Sequence, residues 1–272
     1  MVWGSENWVI SGYGERETRV AAGPLAGKTL NEVYGGQFPL LIKFIDARDD
    51  LSIQVHPDDA LAAKRGIGLG KTEMWYVMND GGHLLVGLKE EITPEEYASL
   101  VMENRLVDVL ERHDTSRGDV FFLPAGRIHA ICGGSVLCEI QETSDNTYRI
   151  YDYGRLGLDG KPRQLHIEES KEAIDYKVYP SYRTSYDQAR NAEVVVVRDS
   201  HFTTSVFELD KAVPVDMTGR GRFLAVMCVE GSGTVDGEAI SEGEALLVLD
   251  QTEPVVLAPA EGSCVKFLTT YE

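Results

Sequence analysis

From Phe38 onward the chain alternates short apolar runs with turn residues. "FPLLIKFIDA" reads as a buried strand interrupted by one lysine, and "DLSIQVH" after an Asp-rich turn predicts the second arm of a hairpin. On that second strand Gln54 and His56 share one face while Ile53 and Val55 take the other. Pro57 ends the strand, and Asp58 or Asp59 can cap a short helix over "ALAAKRG". "TEMWYVM" and "HLLVGL" resume strand patterning. In "TPEEYASLVMENRLVDVLE", Thr93 is placed as N-cap, Pro94 as the first helical residue and Glu96 three after the cap, with Tyr97, Leu100 and Val101 at helical spacing. "DVFFLPAG", "HAICGG" and "VLCEIQE" then follow with the punctuation of an antiparallel sandwich or barrel.

A further helical stretch, "IEESKEAID", leads into the polar "YKVYPSYRTSYDQARNAE", where a domain boundary is expected. Beyond it "VVVVRD", "FTTSVFEL", "RFLAVMCVEGSGTVDGEAISEGEALLVL" and "SCVKFLTTY" are again short strands with Gly-rich turns. The expected fold is therefore mainly β, with two antiparallel units over residues 1–178 and 179–272 and a few short helices. "GDVFFLPAG" and "GEALLVLDQ" share a Gly, an acid and an apolar strand, which suggests a diverged duplication. The second copy lacks the Pro, Gly and His that complete the first.

A length of 272 residues and 43% hydrophobic content suffice for such cores. The formal charge of −18 argues against a broad nucleic-acid or anionic-membrane surface, so an anionic substrate must be met by locally clustered cations. Cys132, Cys138, Cys228 and Cys264 lack CxxC spacing and read as reduced core residues. The N-terminus lacks a signal-like pattern and no long apolar run occurs, so the expected location is cytoplasmic.

Gly118 to His129 reads G-x5-P-x-G-x2-H and resembles the second motif of the cupins, small antiparallel barrels that hold a metal in their mouth. Gln54 and His56 stand where the first cupin motif offers histidines, and Glu73 supplies a carboxylate on the next strand. Gln54, His56, Glu73 and His129 are thus the candidate ligands, a set suited to one zinc or similar divalent ion per chain, in the N-terminal domain. An isolated histidine is more often a hydrogen-bonded or surface residue, and His83, His113, His166 and His201 are given no role.

Taken together, "WGSENWVIS", "FPLLIKFIDARDDLSIQVHPDD", "GKTEMWYV", "FFLPAGRIHAI" and "EIQETSDNTYRIYDYGR" resemble the type I phosphomannose isomerases, over roughly residues 3–175. The resemblance implies two cupin-like jelly-roll domains, the second without metal, and interconversion of mannose 6-phosphate and fructose 6-phosphate through an enediolate. It places the family's metal ligands on the same four residues, its active-site arginine on Arg149 and a glutamate on Glu139. It assigns phosphate binding to Ser52, with Lys43 and Lys71 as nearby cations, and has Trp8 line the pocket. For proton transfer Glu139 is favoured as the carboxylate base over a water activated by the ion, with Lys71 as a shuttle between oxygens. Two other readings are an isomerase of a different sugar phosphate and a non-catalytic sugar-phosphate-binding regulator.

Overall fold

The computed structural model describes all 272 residues. The chain forms two compact units, one of Met1–Trp8 with Leu40–Arg183 and the other of Val9–Pro39 with Thr184–Glu272. Residues 9–39, which the sequence pattern grouped with the N-terminal half, thus belong with the C-terminal unit. Aromatic packing accounts for this: the Phe38 ring lies 4.6 Å from Phe223 and 5.1 Å from Tyr34, centre to centre. No local pattern around Phe38 announces a partner so far along the chain.

The strands of the first unit are β1 (Gly4–Ser11, of which residues 4–8 belong to it), β2 (Leu40–Ala47), β3 (Ile53–Val55), β4 (Glu73–Val77), β5 (His83–Leu88), β6 (Leu110–Asp114), β7 (Val120–Leu123), β8 (His129–Ile131), β9 (Ser135–Glu142), β10 (Tyr148–Tyr151) and β11 (Arg183–Thr184, of which Arg183 belongs to it). They form two antiparallel sheets, ordered β1-β2-β9-β4-β7-β11 and β10-β3-β8-β5-β6. The expected hairpin between β2 and β3 does not form. β2 pairs with β9, whereas β3 pairs with β8 and β10 in the other sheet. The Asp-rich segment is a crossover, fastened by Asp49 N–H to Trp3 C=O, Leu51 N–H to Ile131 C=O and Gly133 N–H to the Asp50 carboxylate.

Four short helices accompany the strands: α1 (Leu30–Tyr34), α2 (Asp59–Arg65), α3 (Pro94–Met102) and α4 (Ile167–Ala173). α2 is capped by Asp58, whose side chain accepts from Leu61 N–H at 2.7 Å, and α3 carries the expected Thr93/Glu96 capping box. α3 and α4 pack Leu100, Val101, Ile167 and Ala173 onto the outward face of the second sheet, where Ile53, Val55, Ala130 and Ile150 are buried. The inward faces of the two sheets meet in a separate core containing Ile45, Trp75, Val77, Val86, Phe121, Ile131 and Leu137.

That interior changes character along its strands. Side chains two apart share a face, so β4 presents Val77, Trp75 and Glu73 in turn, β9 presents Leu137, Glu139 and Gln141, and β2 presents Ile45 and then Lys43. Facing them, β8 runs from Ile131 to His129, which pairs across to Gln54, which in turn pairs with Arg149. One end of the interior is apolar and the other is a ring of ligand-type and charged groups.

The second unit contains β12 (Glu193–Arg198), β13 (Thr203–Leu209), β14 (Val213–Val215), β15 (Phe223–Val235), β16 (Glu238–Ser241), β17 (Ala245–Leu249), β18 (Val255–Pro259) and β19 (Val265–Tyr271) in one antiparallel system centred on β15. Its core is Phe207, Leu209, Leu224, Val226, Cys228, Val255, Leu257, Phe267 and neighbours. Of the four cysteines, all free, Cys132, Cys138 and Cys228 are buried as expected, but Cys264 is exposed because it lies in the turn before β19. No helix is long and apolar enough to cross a membrane.

Candidate metal centre and active site

His56, Glu73 and His129 come together from the end of β3, the start of β4 and the start of β8, with one ligand atom of each within 4.8 Å of the others. His129 Nε2 lies 3.3 Å from Glu73 Oε1, and His56 Nε2 lies 3.6 Å from Glu73 Oε2. Each ring is oriented by a backbone carbonyl: His56 Nδ1–H donates to Asn146 C=O and His129 Nδ1–H to Arg127 C=O, both at 2.8 Å. These bonds fix the tautomer that leaves Nε2 with its lone pair facing the carboxylate. Gln54 Nε2 is 3.3 Å from His129 Nε2, where its amide donates. A flip of the same amide turns its carbonyl oxygen toward the cluster.

Burial makes this set costly unless something completes it. His56, Glu73 and His129 are all at most 2% exposed; His56 Nε2 and Glu73 Oε1 lack a hydrogen-bond partner, while Glu73 Oε2 meets the Lys71 ammonium. The unpartnered His56 Nε2 and Glu73 Oε1, converging with His129 Nε2 on one point, fit a divalent borderline ion. Burial, reinforced for His56 by Lys71, lowers both imidazoles, His129 to about 4, so both are neutral ligands at neutral pH. Burial alone would raise Glu73, but Lys71, then His56 and His129, hold it well below the usual carboxylate range.

Both candidate lysines lie within carboxylate pairs of this cluster. Lys71 Nζ lies 2.7 Å from Glu73 Oε2 and 3.8 Å from Glu139 Oε1, and Lys43 Nζ lies 3.0 Å from that same Glu139 oxygen. Trp75 Nε1–H donates to the other Glu139 oxygen at 2.8 Å. Glu139, which burial would raise, is therefore held below its ordinary value by Lys43 and Lys71 and has partners on both oxygens. Such a carboxylate holds two lysines in place and is a weak base. Burial favours the neutral amine of Lys71, yet Glu139 and Glu73 outweigh it and keep the ammonium charged.

The other candidates lie in the same unit. Ser52 is buried just before β3. The Trp8 indole donates to Glu6 and its ring centre lies 4.9 Å from Lys43 Nζ. Arg149 is half-buried beside Gln54; its Nη1 donates to Gln164 C=O at 3.0 Å and its buried Nε has no partner. Burial and then Arg163 disfavour its charged form, so a negative group brought to it relieves a real cost. Two contributors escaped the sequence reading. The Asn146 and Arg127 carbonyls are backbone groups with no residue signature.

Known proteins resemble this chain in sequence and in fold. Residues 16–86 match the model of "Phosphomannose isomerase type I, catalytic domain". A Bacillus subtilis protein, GmuF, described as a probable mannose-6-phosphate isomerase, is 36% identical over 253 residues, covering 86% of this chain and 79% of that protein. A Streptococcus mutans mannose-6-phosphate isomerase is 32% identical over 259 residues, covering 89% and 82%. The crystal structure of a Bacillus subtilis mannose 6-phosphate isomerase superposes with a TM-score of 0.87 at 28% identity, covering 99% of this chain and 90% of that one.

Proposed function

The chain belongs to the type I phosphomannose isomerase family, and from that premise we propose that Gln54, His56, Glu73 and His129 hold one zinc ion in the first unit, where mannose 6-phosphate and fructose 6-phosphate are interconverted. The observation that carries the assignment is the convergence of His56 Nε2, His129 Nε2 and the Glu73 carboxylate in a buried site where His56 Nε2 and Glu73 Oε1 have no hydrogen-bond partner. A divalent ion there supplies Lewis-acid polarisation of the sugar oxygens and positive charge toward the phosphate dianion.

The residues themselves do the remaining work. Lys43 and Lys71 are balanced by Glu73 and Glu139, so the cluster carries no surplus charge of its own. Arg149 is the nearby cation without a carboxylate partner, and as a fixed donor it stabilises negative charge that develops on the enediolate oxygens. Lys71, charged and buried, is placed to give and retake a proton at a sugar oxygen. Glu139 serves as a positioning residue for Lys43 and Lys71 rather than as the carbon base. Ser52, Lys43 and Trp8 are assigned to the phosphate end of the substrate. A cytoplasmic setting belongs to this reading, supported by the four unpaired cysteines.

A coupled assay over a panel of aldose 6-phosphates and unphosphorylated mannose tests the substrate. The expected result is fastest turnover of mannose 6-phosphate and very poor turnover of mannose. Comparable kcat/KM for the two would overturn the phosphate assignment, and faster turnover of another aldose phosphate would overturn the choice of sugar.

A further inference from the structure

We infer that the first unit carries a second site for a borderline divalent transition ion, formed by Asp50, His83 and Cys132 on the outward face of the second sheet. One ligand atom of each lies within 4.8 Å of the other two. A carboxylate, an imidazole and a thiol together select zinc, cobalt or nickel over magnesium or calcium, which prefer oxygen.

The place of this cluster follows from strand alternation. His129 and Ile131 face the interior, so Cys132 falls on the opposite face and at the far end of β8, about 10 Å of strand from His129. Leu84 faces inward against Ile131, which leaves His83 on the same side as Cys132. Asp50 ends the crossover into β3 beside them. The two sites thus use opposite faces of the same strands and share no residue.

The frame is already built. Cys132 N–H and the Ser135 hydroxyl both donate to His83 C=O, at 3.3 and 3.1 Å, and Gly133 N–H donates to Asp50 Oδ1 at 2.8 Å. The three backbones are therefore tied together, while only side chains need to turn to bring the ligand atoms to the roughly 3.5 Å separations of a tetrahedral ion. Cys132 is buried, whereas Asp50 and His83 are half-exposed, which gives an ion a route in and leaves a fourth position to water. Burial first, and then the Asp50 carboxylate, push the Cys132 thiol up to about 12. On binding, the thiol's proton passes to solvent and the sulfur electron pair goes to the metal, so Asp50, the thiolate and a divalent ion together are neutral.

Sulfur makes this site separable from the catalytic one, whose proposed ligands are nitrogen and oxygen only. Metal-stripped full-length protein is titrated with Co²⁺ and followed in the near ultraviolet. The expected result is a thiolate-to-cobalt charge-transfer band that saturates at one equivalent, within a total of two cobalt ions per chain. Cys132→Ser and His83→Ala are each expected to lose the band and one equivalent, while retaining isomerase activity. His129→Ala is expected to keep the band while losing activity. No charge-transfer band at saturating Co²⁺ overturns the inference, as does a band that survives Cys132→Ser. A band at one equivalent with no second equivalent that depends on His129 counts against the catalytic assignment alone.

Discussion

The two units solve the same packing problem and diverge in what they do with one end of the solution. In each, antiparallel strands bury alternate side chains in an apolar core. In the second unit the buried polar side chains on the strands are hydroxyls such as Thr204, Ser205, Thr269 and Thr270, and the strands carry apolar residues such as Leu224, Val226 and Cys228 into the core. In the first unit the same alternation switches partway along, from Val77 to Glu73, Leu137 to Gln141 and Ile131 to His129. A strand gives adjacent same-face positions about 7 Å apart, so two positions suffice to pass from a dry core to an ion site. The difference teaches that the scaffold does not dictate chemistry; the identity of a few inward residues does.

The largest expected effect comes from erasing the polar end. Glu73→Gln removes the negative charge at the meeting point of both imidazoles and leaves Lys71 Nζ without its 2.7 Å partner. Isomerase activity is expected to fall below detection and the nitrogen–oxygen metal equivalent to be lost, as read by metal analysis beside the coupled assay. Retained metal with normal turnover would mean that the carboxylate is dispensable.

Arg149 sharpens the comparison because the buried arginine of the second unit, Arg220, is already paired with the Glu193 carboxylate. Arg149→Ala is expected to lower kcat by about 10²–10³ with KM and zinc content little changed, since a fixed donor acts on charge that develops in the transition state. Arg149→Lys tests whether charge alone is enough; continued loss would show that the planar fork is required.

Stability gives a two-sided test. Glu139→Leu strands Lys43 in a buried site, leaving Lys71 to Glu73 alone, and is expected to cost on the order of 3–5 kcal/mol in a urea melt, with much of the loss recovered in Lys43→Met/Glu139→Leu. Val226→Glu places an unpaired charge in the second unit's core and is expected to cost a similar amount with no activity-specific defect at low temperature. Equal stability of Glu139→Leu and wild type would contradict the ion-pair account.

A smaller effect is expected from pH. His129 titrates near 4 in the folded chain against an ordinary 6.5, and His56 is also lowered. Between those values the unfolded chain binds more protons, so the stability of the apo first unit is expected to be level above about 6.5 and to fall as pH drops toward 4. All three tryptophans, Trp3, Trp8 and Trp75, lie in that unit, so their fluorescence reports its unfolding. Stability that rises on acidification through this window would reverse the assignment of neutral imidazoles.

What could be read from sequence was what local rules govern. Thr93, Pro94 and Glu96 specify a helix start by chemistry within one turn, and the structure has it. Strand alternation placed Gln54 and His56 on one face, and motif spacing brought in His129. The failures were non-local. An Asp-rich turn between two apolar runs looks like a hairpin, but whether β2 pairs with β3 or with β9 depends on a strand nearly a hundred residues away. Lys43 reads as a strand-edge cation until its neighbour Glu139 is known. His83 and Cys132 are unremarkable singly and become a cluster only when β5 and β8 lie side by side.

The central claim is that the polar end of the first unit's interior is the catalytic metal site. It is tested most directly by stripping wild type and His129→Ala of metal, adding zinc back stepwise, and following mannose 6-phosphate turnover. The account predicts that wild type loses activity on stripping and regains it with zinc, while His129→Ala stays inactive at every zinc level although it remains folded. Recovery of His129→Ala to near wild-type turnover, or undiminished activity in stripped wild type, would contradict it.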